Sequence, residues 1–201
     1  LYILSAPSGG GKSSLARALV ERAQDTVTSV SHTTRPQRTG ETHGVDYFFV
    51  DQPEFEQMIK DDGFLEYARV FDHWYGTSRK AVEQAIVQDR SVMLDIDWQG
   101  ARQVRRAFPG AVSVYILPPS VEALAQRLAD RGRDTPDEIA SRLSEAASEM
   151  SHYDEYDQIL INTNFDAALG ELEALVCRGE APQSGQGFNV GTLVDCAKNV
   201  R

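Results

Sequence analysis

The sequence predicts an α/β fold: a parallel-sheet core with a phosphate-binding loop (P-loop) and helices on both faces, into which a smaller mixed α/β lobe is inserted. Three observations predict it. Short apolar, β-rich runs at Tyr2 to Ser5, Val27 to Ser31, Val92 to Ile96, Val112 to Leu117 and Gln158 to Ile161 alternate with helix-length stretches, the signature of strands joined by crossover helices. A glycine-rich run ending in Lys12 and Ser13 separates the first strand from the first helix. Between about 31 and 90 the alternation gives way to aromatic and polar segments with turns at Thr39-Gly40 and Asp62-Gly63, which marks the inserted lobe.

The opening residues, Leu1 to Leu4, read as a buried strand rather than a targeting signal, because no basic region or small-residue cleavage site accompanies them. In the next stretch Leu15, Leu19 and Ala23 recur every four residues, and within Val121 to Arg131 so do Leu124 and Leu128. Both stretches predict helices packed on the sheet. The core therefore takes in 1–30 and 91–177, and the lobe 31–90. From Arg178 the chain turns to Gly, Ser, Gln and Pro, notably Ala181 to Gly187. Such a composition buries little apolar surface, so residues 178–201 are expected to form a loose tail without a motif that carries chemistry, in which Val190 to Val194 is the stretch that could dock.

Thirty acidic against twenty basic side chains leave the 201-residue chain at a net charge of -10. That balance repels a polyanion and excludes nucleic acid as a partner, while a local convergence of arginines and lysines can still hold a small anion. No apolar run approaches the ~20 residues of a membrane span. Cys177 and Cys196 lie far apart without a metal-ligand spacing, so reduced thiols in a cytoplasmic protein are expected.

The run Ser5-Ala6-Pro7-Ser8-Gly9-Gly10-Gly11-Lys12-Ser13-Ser14 is the sharpest local signal. Consecutive glycines let the backbone wrap a phosphate chain, and the N–H groups of Ala6 to Ser14 together with the helix N-terminus form an anion cradle. Lys12 adds a mobile cation for the β and γ phosphates, and the Ser13 hydroxyl is a hard ligand suited to a Mg2+ ion bridging them. Ala6 replaces the usual first glycine, which is tolerated at negative φ. Asp97 ends the apolar strand Val92 to Asp97 in the manner of an acid that orients magnesium-bound water or Lys12. With Trp98-Gln99-Gly100 it also spells D-x-x-G, the switch tetrapeptide of GTP-hydrolysing proteins, but no N-K-x-D base-reading motif follows.

From Leu1 to about Val176 the chain resembles guanylate kinases, a nucleoside monophosphate kinase family of P-loop proteins. The resemblance is carried by the P-loop, by Ser31-His32-Thr33-Thr34-Arg35-Pro36-Gln37-Arg38, by Gly44 to Phe49, by Phe64-Leu65-Glu66-Tyr67, by Tyr75-Gly76-Thr77 and by Leu94-Asp95-Ile96-Asp97-Trp98-Gln99-Gly100. It implies transfer of the γ-phosphate of MgATP to GMP or dGMP in purine nucleotide metabolism. It also implies that the lobe holds GMP: Arg35, Arg38, Ser31, Tyr47 and Tyr75 on the phosphate, Glu66 on the guanine N1 and N2 donors, Thr77 on O6, and Asp95 as a second acid near the base.

The segment about 127–145 resembles the family's helical lid, with Arg131 and Arg142 as catalytic arginines; Arg127 and Arg133 read equally well as solvated charges. Asn162 matches a residue near the donor adenine, although Thr163 and Asn164 follow where the family more often has acids. Two rivals share parts of this pattern. A non-catalytic guanylate-kinase-like interaction module typically lacks a working P-loop, against which Lys12 and its glycines stand. A P-loop kinase for another small acceptor would differ at Glu66 and Thr77. The number of subunits, including a homo-oligomer, is not legible.

Overall fold

The computed structural model describes residues 1–70, 72–130 and 135–198. In chain order the described elements are β1 (Tyr2–Ser5), α1 (Lys12–Arg22), β2 (Thr26–Thr28), β3 (His32–Thr33), β4 (Phe48–Phe49), α2 (Gln52–Lys60), β5 (Phe64–Val70), β6 (His73–Ser78), α3 (Arg79–Val87), β7 (Ser91–Asp95), α4 (Trp98–Ala107), β8 (Val112–Leu117), α5 (Val121–Asp130), α6 (Pro136–Met150), β9 (Gln158–Ile161), α7 (Phe165–Arg178) and α8 (Val190–Lys198). The strands form a five-stranded sheet in the order β2-β7-β1-β8-β9 and a four-stranded sheet in the order β4-β3-β6-β5.

In the larger sheet β2 pairs with β7 and β8 with β9, both parallel. Its strands are apolar on both faces, as sandwiched parallel strands must be: Ile3, Leu4, Val92, Met93, Leu94, Val114, Tyr115, Ile116 and Leu117 are at most 1% exposed. The smaller sheet is mixed, with β3 parallel to β4 and antiparallel to β6. The predicted fold class is therefore present, with strand and helix limits within a few residues of those expected.

The chain separates into two compact units. One comprises Leu1–Ile3 and Asp25–Ala111, the other Leu4–Gln24 and Val112–Arg201. Residues 31–90 fall in the first of these together with β2, β7 and α4, since β2 pairs with β7 and α4 packs on β5.

The expectation of a loose tail is overturned. Helix α8 buries Val190, Leu193, Val194 and Ala197, an apolar stripe at i, i+3, i+4 and i+7, against α6 and α5. The glycine-rich connection before it is tied down as well: the Ile161 N–H donates to Ser184 Oγ at 3.0 Å, and Glu171 Oε2 accepts from the Gln183 and Ser184 N–H groups. Local composition is polar there, but a few apolar residues at helical spacing suffice once a partner surface exists.

Candidate active site

In the unit that holds the P-loop, β1 delivers the chain at Ser5 and α1 takes it up at Lys12. Between them the Gly10 N–H donates to the Pro7 carbonyl at 2.8 Å, closing a tight turn. Gly9 and Gly11 have φ of 88° and 94°, the left-handed region that disfavours side chains. Space is equally restrictive. A Cβ on Gly10 would stand 2.8 Å from the Ala6 Cβ, and one on Gly11 would stand 2.6 Å from Asn162 Nδ2. Ala6 itself is not among the positive-φ residues, which outside glycine are Asp62 and Asp89 among the described residues, so the departure from the usual first glycine is accommodated as expected.

Side chains from distant parts of the same unit shape this loop. Asn162, 4% exposed at the end of β9, donates from Nδ2 to the Gly10 carbonyl at 3.0 Å. Its own carbonyl accepts from Arg127 Nη2 at 2.5 Å, and burial pushes the Arg127 guanidinium below its ordinary pKa. Asn162 Oδ1 and Arg127 Nη1 are buried without a protein partner. Glu149 Oε2, near the end of α6, accepts the Ser8 N–H at 3.0 Å. Lys12 is half-buried, and the Ser13 and Ser14 side chains are exposed on the first turn of α1. Arg142 is half-buried on α6, while Arg131 and Arg133 lie outside the described residues.

The second unit gathers most of the other expected residues. Arg35 is 8% exposed, and its guanidinium lies 5.4 Å from the centre of the Tyr47 ring. Tyr47 and Tyr75 meet edge to face at 6.0 Å. Arg35 Nη2 donates to Glu41 Oε1 at 2.7 Å, and the other oxygen of Glu41 accepts the Arg38 N–H at 2.8 Å. This bond holds the Glu41 carboxyl below the usual carboxylate range and raises the pKa of Arg35. Burial first, then the negative charge of Asp95, pushes the Tyr47 hydroxyl above its ordinary value. The Arg38 side chain is exposed and Ser31 is half-buried.

Glu66 and Thr77 sit opposite each other on β5 and β6 and are 4% and 1% exposed. The pairing register shifts between Phe64 and Glu66. This irregularity lets Phe64, Leu65 and Glu66 be buried in succession, which a regular strand with alternating faces does not allow. Thr77 Oγ1 donates to Glu66 Oε1 at 2.6 Å, so the two residues expected to read opposite edges of a base are joined to each other.

Asp97 caps the helix that follows it. Its Oδ1 accepts the Gly100 N–H at 2.8 Å and its Oδ2 accepts from Gln99 Nε2 at 3.3 Å, making it the N-cap of α4. The D-x-x-G tetrapeptide is thus a helix cap with the Asp at N-cap and the Gly three residues on. Two residues missed by the sequence reading, Glu41 and Glu149, touch the candidate site residues. Glu41 lies six residues after Arg35 in a Pro-containing turn, a usable hint, whereas the bond from Glu149 to Ser8 spans 141 residues and leaves no local trace.

A strand, a glycine loop closed on a buried asparagine, and Lys12 at the head of α1 define a P-loop protein. A guanylate kinase family model matches residues 1–178, and the chain belongs to that family. It is 54% identical over 194 residues to the guanylate kinase of Methylococcus capsulatus, covering 96% of this chain and 95% of that one. To the guanylate kinase of Chromohalobacter salexigens it is 58% identical over 176 residues, with 88% and 82% covered. The crystal structure of guanylate kinase from Anaplasma phagocytophilum superimposes with a TM-score of 0.75 at 34% identity, covering 92% of this chain and 87% of that one. Among the described residues no helix is long and apolar enough to cross a membrane, and no group of three or more His, Cys, Asp or Glu side chains is placed to hold a metal.

Proposed function

We propose that the protein transfers the γ-phosphate of MgATP to GMP or dGMP, giving ADP and GDP or dGDP, in the nucleotide pool of the cytoplasm. Beyond family membership, the observation that carries this reading is the buried Glu66–Thr77 pair in the unit that also holds Arg35, Tyr47 and Tyr75. A purine with N1–H and N2–H2 donors satisfies a buried carboxylate, whereas adenine turns the lone pair of its N1 toward it and has no 2-amino donor to offer. Such a mismatch costs on the order of 1–3 kcal/mol or more in a buried site.

Arg35, with Arg38, Ser31, Tyr47 and Tyr75, holds the GMP phosphate, which competes with Glu41 for the Arg35 fork. Thr77 orients Glu66 in the free protein and turns its hydroxyl to O6 when guanine arrives; Asp95 adds acidity near the base. On the donor side the N–H groups between Ala6 and Ser14 cradle the triphosphate, Lys12 neutralises its outer oxygens, and Asn162 lies near the adenine. Ser13, an exposed hard oxygen, fits Mg2+; bound there with the triphosphate, the ion supplies charge neutralisation. Asp97, the N-cap of α4, remains the acid proposed to reach magnesium through water.

In the reaction an oxygen of the GMP phosphate attacks the γ-phosphorus. The bond from that phosphorus to the β,γ-bridging oxygen breaks, and ADP leaves with the electron pair. No general base is needed, because a phosphate monoester with a second pKa of about 6 is already largely dianionic at neutral pH. Arg131 and Arg142 stabilise charge on the travelling group.

The test is a coupled ADP-release assay with GMP, dGMP, AMP, CMP and UMP. Turnover of GMP and dGMP with scarcely any of the other three is expected. AMP turned over as fast as GMP ends the guanine reading, and no ADP release with any acceptor ends the kinase reading.

A further inference from the structure

Gly100 is buried in the first turn of α4 with φ outside the left-handed region. A glycine in a helix costs roughly 1 kcal/mol relative to alanine and needs another reason to be there. That reason is space. A Cβ built on Gly100 would stand 2.5 Å from Glu66 Oε2, 3.1 Å from Glu66 Cδ and 3.4 Å from the Ile96 Cβ. The carboxylate cannot step aside freely: it is 4% exposed, and its other oxygen is held by Thr77 at 2.6 Å. The backbone of that turn is fixed in its place by the Asp97 cap on the Gly100 N–H.

We propose that Gly100 is a specificity-positioning residue: its missing side chain leaves the space in which the Glu66 carboxylate sits, and this sets the discrimination between purine bases that do and do not carry a 2-amino donor. The inference rests on the reading of Glu66 as the guanine-binding carboxylate. The D-x-x-G tetrapeptide then has one half that caps a helix and another that makes room for the base reader.

The experiment compares kcat/KM for GMP and IMP, which lacks the 2-amino group, in the wild type, Gly100→Ala, Glu66→Asp and the Glu66→Asp/Gly100→Ala double variant. Gly100→Ala is expected to raise the KM for GMP and lower the GMP-over-IMP ratio by about ten-fold or more, the loss of one charged hydrogen bond, with the KM for MgATP unchanged. In the Glu66→Asp background, where the carboxylate is one methylene shorter, adding Gly100→Ala is expected to change the ratio by less than about two-fold. An unchanged ratio in Gly100→Ala, or an equal fold-change in both backgrounds, overturns the proposal. Should Gly100→Ala alone fail to fold, the double variant is expected to fold, and its failure also overturns the proposal. Glu66→Gln separates the underlying reading: if it leaves the ratio of the wild type intact, Glu66 does not read the base at all.

Discussion

The P-loop and the lobe, the two regions proposed to hold phosphate, are built in opposite ways. In the P-loop the donors are backbone N–H groups, and the shape is enforced by absent atoms: Gly9, Gly10 and Gly11 each lie where a Cβ would collide. In the lobe the donors are side chains, and the shape is enforced by atoms present, Glu41 holding Arg35 and Thr77 holding Glu66. A backbone cradle is therefore damaged by addition and a side-chain cradle by removal. Gly100 is the place where the lobe borrows the first strategy to position a member of the second.

That contrast can be broken or sharpened by substitution. The largest effect is expected from Lys12→Ala, which should lower kcat by about 10^3-fold or more while leaving the Kd for GMP in calorimetry unchanged. A near-normal kcat removes Lys12 from the reaction, and a lost GMP affinity shows that the two units do not act separately. Next, Arg35→Ala should raise the KM for GMP by about 10- to 100-fold, the worth of a charge-assisted bond, and leave that for MgATP alone. Tyr47→Phe should do the same more weakly. An unaltered KM in Arg35→Ala would falsify the assignment of the GMP phosphate to this side chain.

Addition is tested at Gly11→Ala, where φ of 94° and the nearby Asn162 amide both oppose a Cβ. About ten-fold weaker MgATP binding is expected from a strain of 1–2 kcal/mol, with GMP binding intact; equal binding would mean that the loop relaxes freely. The smallest effect concerns Glu41. Because Arg35 holds its carboxyl below the usual range, the stability it contributes is present at neutral pH and lost as the pH falls past the ordinary glutamate value and through the carboxyl's own lowered one. The difference in Tm between wild type and Glu41→Gln should accordingly shrink between pH 6 and pH 3.5. The pair is partly exposed, so its worth stays below about 1 kcal/mol, and a constant difference across that range shows that charge is not its source.

Much of the architecture is local in origin and was legible without coordinates. The strand before the P-loop, the helix after it, and the turns at Gly40 and Asp62-Gly63 follow from side-chain periodicity and from which residues tolerate positive φ. The residues of the lobe were legible by their resemblance to a family, and Arg35, Tyr47 and Tyr75 do come together. Asp97 reads as a strand-ending acid, and only the start of the next helix shows that it also caps α4. In the tail the polar average points to looseness, while docking of the stretch from Val190 needs a partner surface that folding alone supplies.

By itself, then, the sequence determined the strands of the larger sheet, helices α1 and α5, the glycine loop between β1 and α1 and the chemical types available to the site, since each depends on neighbours a few residues apart. Tertiary structure alone decided that Asn162 closes on Gly10, that Glu149 reaches Ser8, that a register shift buries Glu66 beside Thr77, and that α8 docks on α5 and α6. These contacts join residues brought close only by folding, where burial and the fit of neighbouring atoms fix the outcome and local preference has no purchase.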